Sequence, residues 1–262
     1  MNVPLLACHG VDVRYGERWL VRSLHIEIAA GERWVLVGPN GAGKTSLLFV
    51  LAGVRMADGG TIDLAGQPMA KWSVESLAGL RALVADHWID PFATSVLDTV
   101  IAARYRMRGA VRAGKRADQH AEAVGRQCLA VMDCAGLADR DVRFLSRGER
   151  QRVALAAALA QETPLVLLDE PISHQDPRHQ FQVLQQLDLR SDCTYIGALH
   201  DINAAARFAT HALLLSGDGS WQAGESSNVL TNANLSQLFD TKITQIEVGS
   251  HRVFVATGAA PS

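Results

Sequence analysis

Long apolar runs are missing from this sequence of 262 residues. Hydrophobic residues make up 48% of the chain, yet no run approaches the roughly 18–20 consecutive apolar residues that a membrane-spanning helix needs. Residues 1–4 also lack a basic segment followed by an apolar core, so we expect no secretory signal. The sequence therefore predicts neither a spanning helix nor a signal peptide.

A strong charge of one sign and a cysteine framework are missing as well. The 25 basic and 27 acidic residues give a formal net charge of −2, which offers no electrostatic reason to expect nucleic acid as a partner. The cysteine spacings fit neither a zinc site nor a redox CxxC pair. We expect reduced, mostly buried thiols at Cys8, Cys128, Cys134 and Cys193.

Strand and helix signals alternate along most of the chain. Residues 1–30 alternate apolar and polar side chains, which is typical of half-buried strands. Short apolar runs and compact helical segments follow, and this order favours a parallel α/β core. We predict strands at 32–37, 61–64 (as an edge strand), 80–85, 165–168, 194–199 and 212–215, and helices at 44–52, 148–161, 177–189 and 201–209.

The texture changes between residues 95 and 137, where the sequence is helical, rich in Ala and Arg, and poor in β-branched residues. Two weak strands at 244–248 and 252–256 follow near the end of the chain. We therefore predict a single domain over residues 1–262. It should contain a helical subdomain inserted at about 87–147 and a short C-terminal β/helical extension at about 216–258.

Residues 38–45 form a complete phosphate-binding motif, G-x-x-x-x-G-K-[ST], placed between a predicted strand and a predicted helix. Glycines let backbone N–H groups turn inward around phosphates, and the helix that follows adds the positive end of its dipole. Lys44 can place its charge on the β- and γ-phosphates of ATP, and Thr45 can offer a hydroxyl to Mg²⁺. The candidate nucleotide-binding residues here are Gly38, Pro39, Asn40, Gly41, Ala42, Gly43, Lys44, Thr45 and Ser46.

Two adjacent carboxylates end the apolar run at residues 165–168. In P-loop ATPases an Asp at the end of a buried strand holds Mg²⁺, which predicts that role for Asp169. Glu170 would point in a different direction, because side chains alternate across a strand. We expect Glu170 to orient the attacking water as a general base.

Residues 145–152, Leu-Ser-Arg-Gly-Glu-Arg-Gln-Arg, resemble the signature motif of the ABC transporter ATPases. The resemblance extends over essentially the whole chain. It implies an α/β fold, an ABC-type P-loop ATPase with a RecA-like parallel-sheet core, an N-terminal antiparallel β subdomain and an inserted helical subdomain. In that family, Ser146, Arg147, Gly148 and Glu149 would contact ATP bound by the opposite subunit of a head-to-tail homodimer. Ser146 and Glu149 also fit a capping box, which is a purely structural interpretation compatible with the first.

Three further positions match the family pattern. Tyr15 corresponds to the aromatic residue that stacks on adenine, although an aromatic residue packed in the core remains an alternative. Asp176 ends a segment, 173–176, that resembles the D-loop between the two sites. His200 resembles the switch histidine that contacts the γ-phosphate. The resemblance thus implies Lys44, Glu170 and His200 as the catalytic residues.

Two positions depart from the pattern. Asp86 stands where the family has the Q-loop glutamine that touches Mg²⁺, so we expect it to approach the metal. Because Asp86 is shorter than glutamine and charged, we predict that the wild type hydrolyses ATP more slowly than an Asp86→Gln variant. Arg147 replaces the first glycine of the signature, and its guanidinium could form a salt bridge or help to hold phosphate.

The resemblance also implies the partners. A lone ATP-binding domain of this type is similar to bacterial importer subunits that lie on the cytoplasmic face of the inner membrane. Such a subunit joins a separate permease and, indirectly, a substrate-binding protein. The segments 91–94 and 249–252 most resemble the cobalamin, ferric-siderophore and haem group, and the vitamin B12 importer in particular. The basic residues at 104, 106, 108, 112, 115 and 116 could face anionic lipid or simply solvent.

Other kinds of protein remain open, including an ABC transporter subunit for another substrate. A soluble ABC ATPase of the iron–sulfur assembly type has a similar length, whereas repair and translation ATPases carry coiled coils, zinc cysteines or a second P-loop. A degenerate regulatory subunit is a third possibility, against which the intact Lys44, Asp169, Glu170 and His200 argue.

Overall fold

The computed structural model describes residues 3–86, 92–105, 115–249 and 251–259. Pro91, Ser250 and residues 106–114, which hold part of the predicted importer-like and basic segments, lie outside them, as do the side chains of Lys115 and Arg116. The strands are β1 (Leu6–Tyr15), β2 (Arg18–Ile28), β3 (Arg33–Val37), β4 (Gly59–Leu64), β5 (Gln67–Pro68), β6 (Arg81–Val84), β7 (Leu165–Asp169), β8 (Thr194–Ala198), β9 (His211–Leu215), β10 (Trp221–Glu225), β11 (Thr241–Val248) and β12 (His251–Ala259).

Helices alternate with these strands. The α-helices are α1 (Lys44–Leu51), α2 (Val74–Leu80), α3 (Val96–Tyr105), α4 (Lys115–Val131), α5 (Arg147–Ala160), α6 (Pro177–Asp188), α7 (Ile202–Phe208), α8 (Ser226–Val229) and α9 (Asn232–Phe239). Among the residues described, no helix is long and apolar enough to cross a membrane. The chain divides into two compact units, Met1–Lys71 with Thr194–Ser262, and Trp72–Cys193.

The first unit contains an antiparallel sheet and part of a parallel one. The antiparallel sheet has the order β2-β1-β4-β5, so the strand predicted as an edge has the two-residue β5 outside it. In the other sheet β3 lies between β8 and β9 and is parallel to both, while β10 pairs antiparallel with β9. Buried leucines and isoleucines such as Leu6, Leu24 and Ile28 form the core of the antiparallel sheet. The strands β11 and β12 form a separate hairpin near the C-terminus.

The second unit combines a parallel strand pair with most of the helices. The strands β6 and β7 are parallel, with Val84 opposite Leu168. Every residue of β7 is buried, which explains why its sequence is an unbroken apolar run before Asp169. Helices α3 and α4 both pack on α5. Helices α3 and α4 lie inside the stretch 87–147 that the sequence predicted as an inserted subdomain, whereas α5 begins where that stretch ends. The α/β fold class predicted from the sequence is confirmed.

All four cysteines are buried, as predicted. Burial raises the pKa of the Cys8 thiol to about 12.

Candidate active site

The phosphate-binding loop of the first unit packs closely on two strands. At Gly38 an added Cβ would lie 2.3 Å from the backbone oxygen of Leu215, in β9. At Gly43 the backbone φ is +102°, and a Cβ would lie 2.8 Å from the Cβ of Leu20, in β2. Glycine is therefore required at both positions, for space at the first and for space and backbone conformation at the second.

Lys44 lies folded over this loop. Its side chain is buried, and the Nζ atom donates hydrogen bonds to the backbone oxygens of Gly38, at 2.7 Å, and Pro39, at 3.2 Å. Helix α1 begins at Lys44 without a side-chain cap and without an acid in its first turn. A helix N-terminus with no side-chain cap and no acid in its first turn favours an anionic ligand. Thr45 is exposed in the same turn.

His200 follows a strand that neighbours the one before the loop. The parallel strands β3 and β8 pair Leu36 with Ala198, and the Leu199 N–H donates to the Leu36 oxygen at 3.3 Å. Parallel neighbours end at the same edge of a sheet. The structure therefore brings the phosphate-binding loop and the exposed His200 to one edge of the first unit.

Tyr15 ends β1 and is 75% exposed, so its ring is not part of the core. The hairpin of β1 and β2 is tied near the phosphate-binding loop by Arg18, whose Nε and Nη2 donate to the Gly217 oxygen at 2.9 and 2.6 Å. A Cβ at Gly217 would lie 3.1 Å from the Cα of Ala42. The exposed ring of Tyr15 is thus available for stacking on a base.

The two predicted carboxylates belong to the second unit. Asp169 is the last residue of β7 and only 3% exposed. Glu170 follows with a φ of +51°, which lies in the left-handed region that residues other than glycine seldom adopt. The backbone thus leaves the extended conformation of β7 directly after Asp169.

The signature segment begins helix α5 with a complete capping box. The Ser146 N–H donates to Glu149 Oε2 at 2.8 Å, and the Glu149 N–H donates to Ser146 Oγ at 3.3 Å. The hydrogen bond from the Ser146 backbone lowers the pKa of Glu149. A Cβ at Gly148 would lie 3.1 Å from the backbone oxygen of His174. The glycine therefore lets the segment 173–176 approach the first turn of α5.

Asp176 caps the next helix, α6, which starts with Pro177. Its Oδ1 accepts from the His179 N–H at 3.0 Å, and its Oδ2 lies 2.7 Å from His179 Nδ1. These hydrogen bonds, the backbone one first, lower the pKa of Asp176. The structure therefore gives Asp176 a local capping role, whereas its predicted role in nucleotide binding stays a prediction.

The two departures from the family pattern meet in the second unit. Arg147 Nη2 lies 4.0 Å from Asp86 Oδ2, so the salt bridge, one of two roles left open for Arg147, is present. The Ser173 hydroxyl lies 3.3 Å from Asp86 Oδ1. The sequence alone did not predict that Ser173 contacts Asp86 or that Gln151 contacts the Glu170 backbone oxygen. The signal available for Gln151 was its position one helical turn after Arg147.

The donor atoms present fit Mg²⁺. Taken separately, Thr45 of the first unit and Asp169 of the second each carry an oxygen atom, the donor that this hard cation prefers. In the described part of the chain no group of three His, Cys, Asp or Glu side chains could hold a metal. A Mg²⁺ ion that takes one or two protein oxygens and completes its shell with phosphate and water agrees with that composition.

Comparison with known proteins identifies the family. The family described as ABC transporter matches residues 21–173. The hemin import ATP-binding protein HmuV of Streptomyces coelicolor is 37% identical over 91% of this chain and 84% of its own length. The iron(3+)-hydroxamate import ATP-binding protein FhuC of Bacillus subtilis is 32% identical over 89% of this chain and 87% of its own length.

A solved structure agrees with these relatives. A metal-chelate type ABC transporter in an inward-facing conformation contains a chain that is 28% identical and superposes with a TM-score of 0.81, covering 97% of both chains. The resemblance stated from the signature motif is thereby confirmed. This chain belongs to the ABC transporter family and is one of its ATP-binding subunits, a transport-coupled ATPase.

Proposed function

We propose that this chain hydrolyses ATP to power a bacterial importer for a metal chelate, of the haem, ferric-siderophore or cobalamin class. The observation that carries the proposal is the 37% identity to a hemin import ATP-binding protein over nearly the whole chain. The similarity to an iron(3+)-hydroxamate import protein supports the same cargo class. These names favour an importer subunit over a soluble ATPase of the iron–sulfur assembly type.

The chemistry follows from the residues in the two units. We infer that the loop at residues 38–45, with the Lys44 ammonium and the N-terminus of α1, binds the phosphates of ATP, and that Tyr15 stacks on the adenine. Glu170 accepts a hydrogen bond from the attacking water and orients it, while His200 contacts the γ-phosphate. Electrostatic stabilisation and positioning of this kind account for most of the catalysis in phosphoryl transfer.

Thr45 and Asp169 are the residues that we expect to hold Mg²⁺, with Asp86 as a further carboxylate toward it. When bound, the metal neutralises charge on the β- and γ-phosphate oxygens. Asp169 is buried at the end of β7 and carries the carboxylate oxygens that a hard cation such as Mg²⁺ prefers.

We further propose that the chain works as a homodimer on the cytoplasmic face of the inner membrane. Two copies would enclose two ATP molecules, each between the phosphate-binding loop of one copy and residues 146–149 of the other. Closure would drive a separate permease, and a substrate-binding protein would deliver the cargo. On this account the chain itself does not touch the transported molecule, and nucleic acid is not a partner.

The test is to capture a tagged Glu170→Gln variant from detergent-solubilised membranes of the native host and to identify its companions by mass spectrometry. This variant should bind ATP and stall, so we expect a many-helix permease at comparable stoichiometry. A Lys44→Ala variant, with the phosphate-binding charge removed, serves as the control. Recovery of soluble proteins alone would contradict the importer proposal.

The cargo is tested with the same complex in liposomes. ATP-dependent uptake should be seen for haem, a ferric hydroxamate or cobalamin, and lost with Glu170→Gln. Uptake of none of the three, by a complex that still hydrolyses ATP, would contradict the cargo class and leave the ATPase in place.

A further inference from the structure

A pair of opposite charges links the end of β6 to the start of α5. Asp86 lies two residues after β6, and Arg147 is the first residue of α5. Their charged atoms are 4.0 Å apart, with the Asp86 side chain 29% and the Arg147 side chain 54% exposed. Both residues depart from the family's pattern, which has an uncharged glutamine and glycine at the two positions. In this chain the two departures therefore bring opposite charges together.

The side chain of Ser173 connects Asp86, one member of this ion pair, to the backbone of Glu170. The Ser173 hydroxyl lies 3.3 Å from Asp86 Oδ1 and 2.9 Å from the Glu170 backbone oxygen. A hydroxyl carries one hydrogen, so Ser173 divides its donation between these two acceptors. A change in the charge at Asp86 therefore alters the hydrogen bond that the Glu170 carbonyl receives.

Arg147 is connected to the same Glu170 carbonyl through Gln151. Gln151 follows Arg147 by one turn on the same face of α5. Its side chain is buried, and its Nε2 lies 3.4 Å from the Glu170 oxygen, as a donor. The position of the first turn of α5, which the ion pair restrains, therefore affects the contact that Gln151 makes.

Ser173 and Gln151 both contact the backbone carbonyl of Glu170, whose backbone conformation is strained. Glu170 has a φ of +51° and precedes Pro171, and its oxygen also accepts from the Ser173 N–H at 3.1 Å. A residue with a side chain keeps such a conformation only where its surroundings fix it. The direction of the Glu170 carboxylate depends on that conformation, since φ rotates the side chain with the backbone.

We propose that Asp86 and Arg147 are positioning residues for Glu170. Their ion pair, acting through Ser173 and Gln151, holds the Glu170 backbone in its left-handed conformation and so aims the carboxylate. This inference rests on the proposed role of Glu170 in ATP hydrolysis. It gives the opposite sign to the expectation from sequence alone, because Asp86→Gln would remove the counter-ion of Arg147 and slow the reaction.

The first test measures ATP hydrolysis by the full-length protein with Asp86→Asn, Arg147→Gln and both together. Each single variant should lower kcat about two- to fivefold, the range for a partly exposed ion pair. Arg147→Gln, which keeps the backbone N–H at that position, should leave the KM for ATP unchanged. The double variant should be no slower than the slower single variant, and Arg147→Lys should keep most of the activity. The matched control is Arg126→Gln, which breaks an exposed pair with Glu122 and should leave kcat unchanged.

Several results would overturn the inference. Losses that multiply in the double variant would show two independent effects. A raised KM with unchanged kcat in Arg147→Gln would mean that Arg147 contacts phosphate instead. An Asp86→Gln variant as fast as the wild type, or faster, would favour the earlier expectation. If a variant fails to fold, the wild type provides a substitute test. Its kcat should fall as salt rises from about 0.05 to about 0.5 M, since salt screens an exposed ion pair, and a kcat that does not fall would overturn the inference.

The second test separates this inference from the proposed function. In a Glu170→Gln background, measured with high enzyme concentration and radiolabelled ATP, Arg147→Gln should cause no further loss. A full further loss would overturn the positioning role, while the slow Glu170→Gln parent would still support the role of Glu170. A Glu170→Gln parent as fast as the wild type would instead overturn the proposed role of Glu170 itself.

Discussion

Replacing Gly38 by alanine tests the packing of the phosphate-binding loop. The new Cβ would lie 2.3 Å from the Leu215 backbone oxygen, whereas ordinary contact begins near 3.4 Å, and Ala42 Cβ would be 3.2 Å away on another side. The nearest atom belongs to strand β9, so it cannot turn aside as the end of a flexible side chain could. The loop or the strand must therefore move by about 1 Å.

The size of the effect follows from that overlap. Overpacking of this kind costs about 1–3 kcal/mol, and each kcal/mol lowers the Tm of a domain of this size by about 2–4 °C. The displaced loop should also bind ATP more weakly, because the Gly38 oxygen anchors Lys44 Nζ.

Thermal unfolding and the binding of a fluorescent ATP analogue measure the two effects. The matched control is Gly79→Ala in α2, where a Cβ would meet nothing within 4 Å and alanine should stabilise the helix by about 0.5–1 kcal/mol. The same substitution thus has opposite signs at the two sites. A Gly38→Ala variant with unchanged Tm and ATP affinity would refute the close approach of the loop to β9.

Three further predictions follow from side chains elsewhere. Tyr15→Ala should weaken ATP binding by about 1–3 kcal/mol, as loss of a base stack does. The Tm should not fall, because the Tyr15 ring is exposed. Unchanged ATP affinity in a titration would contradict the stacking role. Arg104→Met should destabilise the protein by about 1–3 kcal/mol in urea unfolding, because the buried guanidinium bonds both the Ala160 oxygen and Glu162, whereas the exposed Arg126→Met should have almost no effect. Asp176→Ala should destabilise α6 at pH 7, but the difference should fade as the pH drops below about 4, because a carboxyl with a lowered pKa stabilises the fold only while it is ionised; a pH-independent difference would contradict this.

Much of the fold could be predicted because the sequence signals were local. The helix expected at residues 44–52 is observed as Lys44–Leu51, and the strand expected at 165–168 as Leu165–Asp169. The first is marked by the phosphate-binding motif and a closing glycine, and the second by an unbroken apolar run. Helix α2 was not predicted, since a seven-residue helix gives few turns over which a period can be recognised.

The parts of the site that escaped prediction depend on contacts between distant residues. Asp86 and Arg147 were each noted as unusual, but nothing in their separate surroundings in the sequence indicates that they lie 4.0 Å apart. The parallel pairing of β6 with β7 creates the proximity of Asp86 to the residues after Asp169. The left-handed backbone of Glu170 was also unpredictable, because a glutamate before a proline favours extended conformations.

The rate of ATP hydrolysis by Glu170→Gln, compared with that of the wild type, shows whether Glu170 acts as the general base. Glutamine keeps the size of the side chain and removes its ability to act as a base. We expect kcat to fall about 10²–10⁴-fold, while the affinity for ATP, measured by equilibrium binding, stays unchanged. A variant that hydrolyses ATP as fast as the wild type would contradict that role.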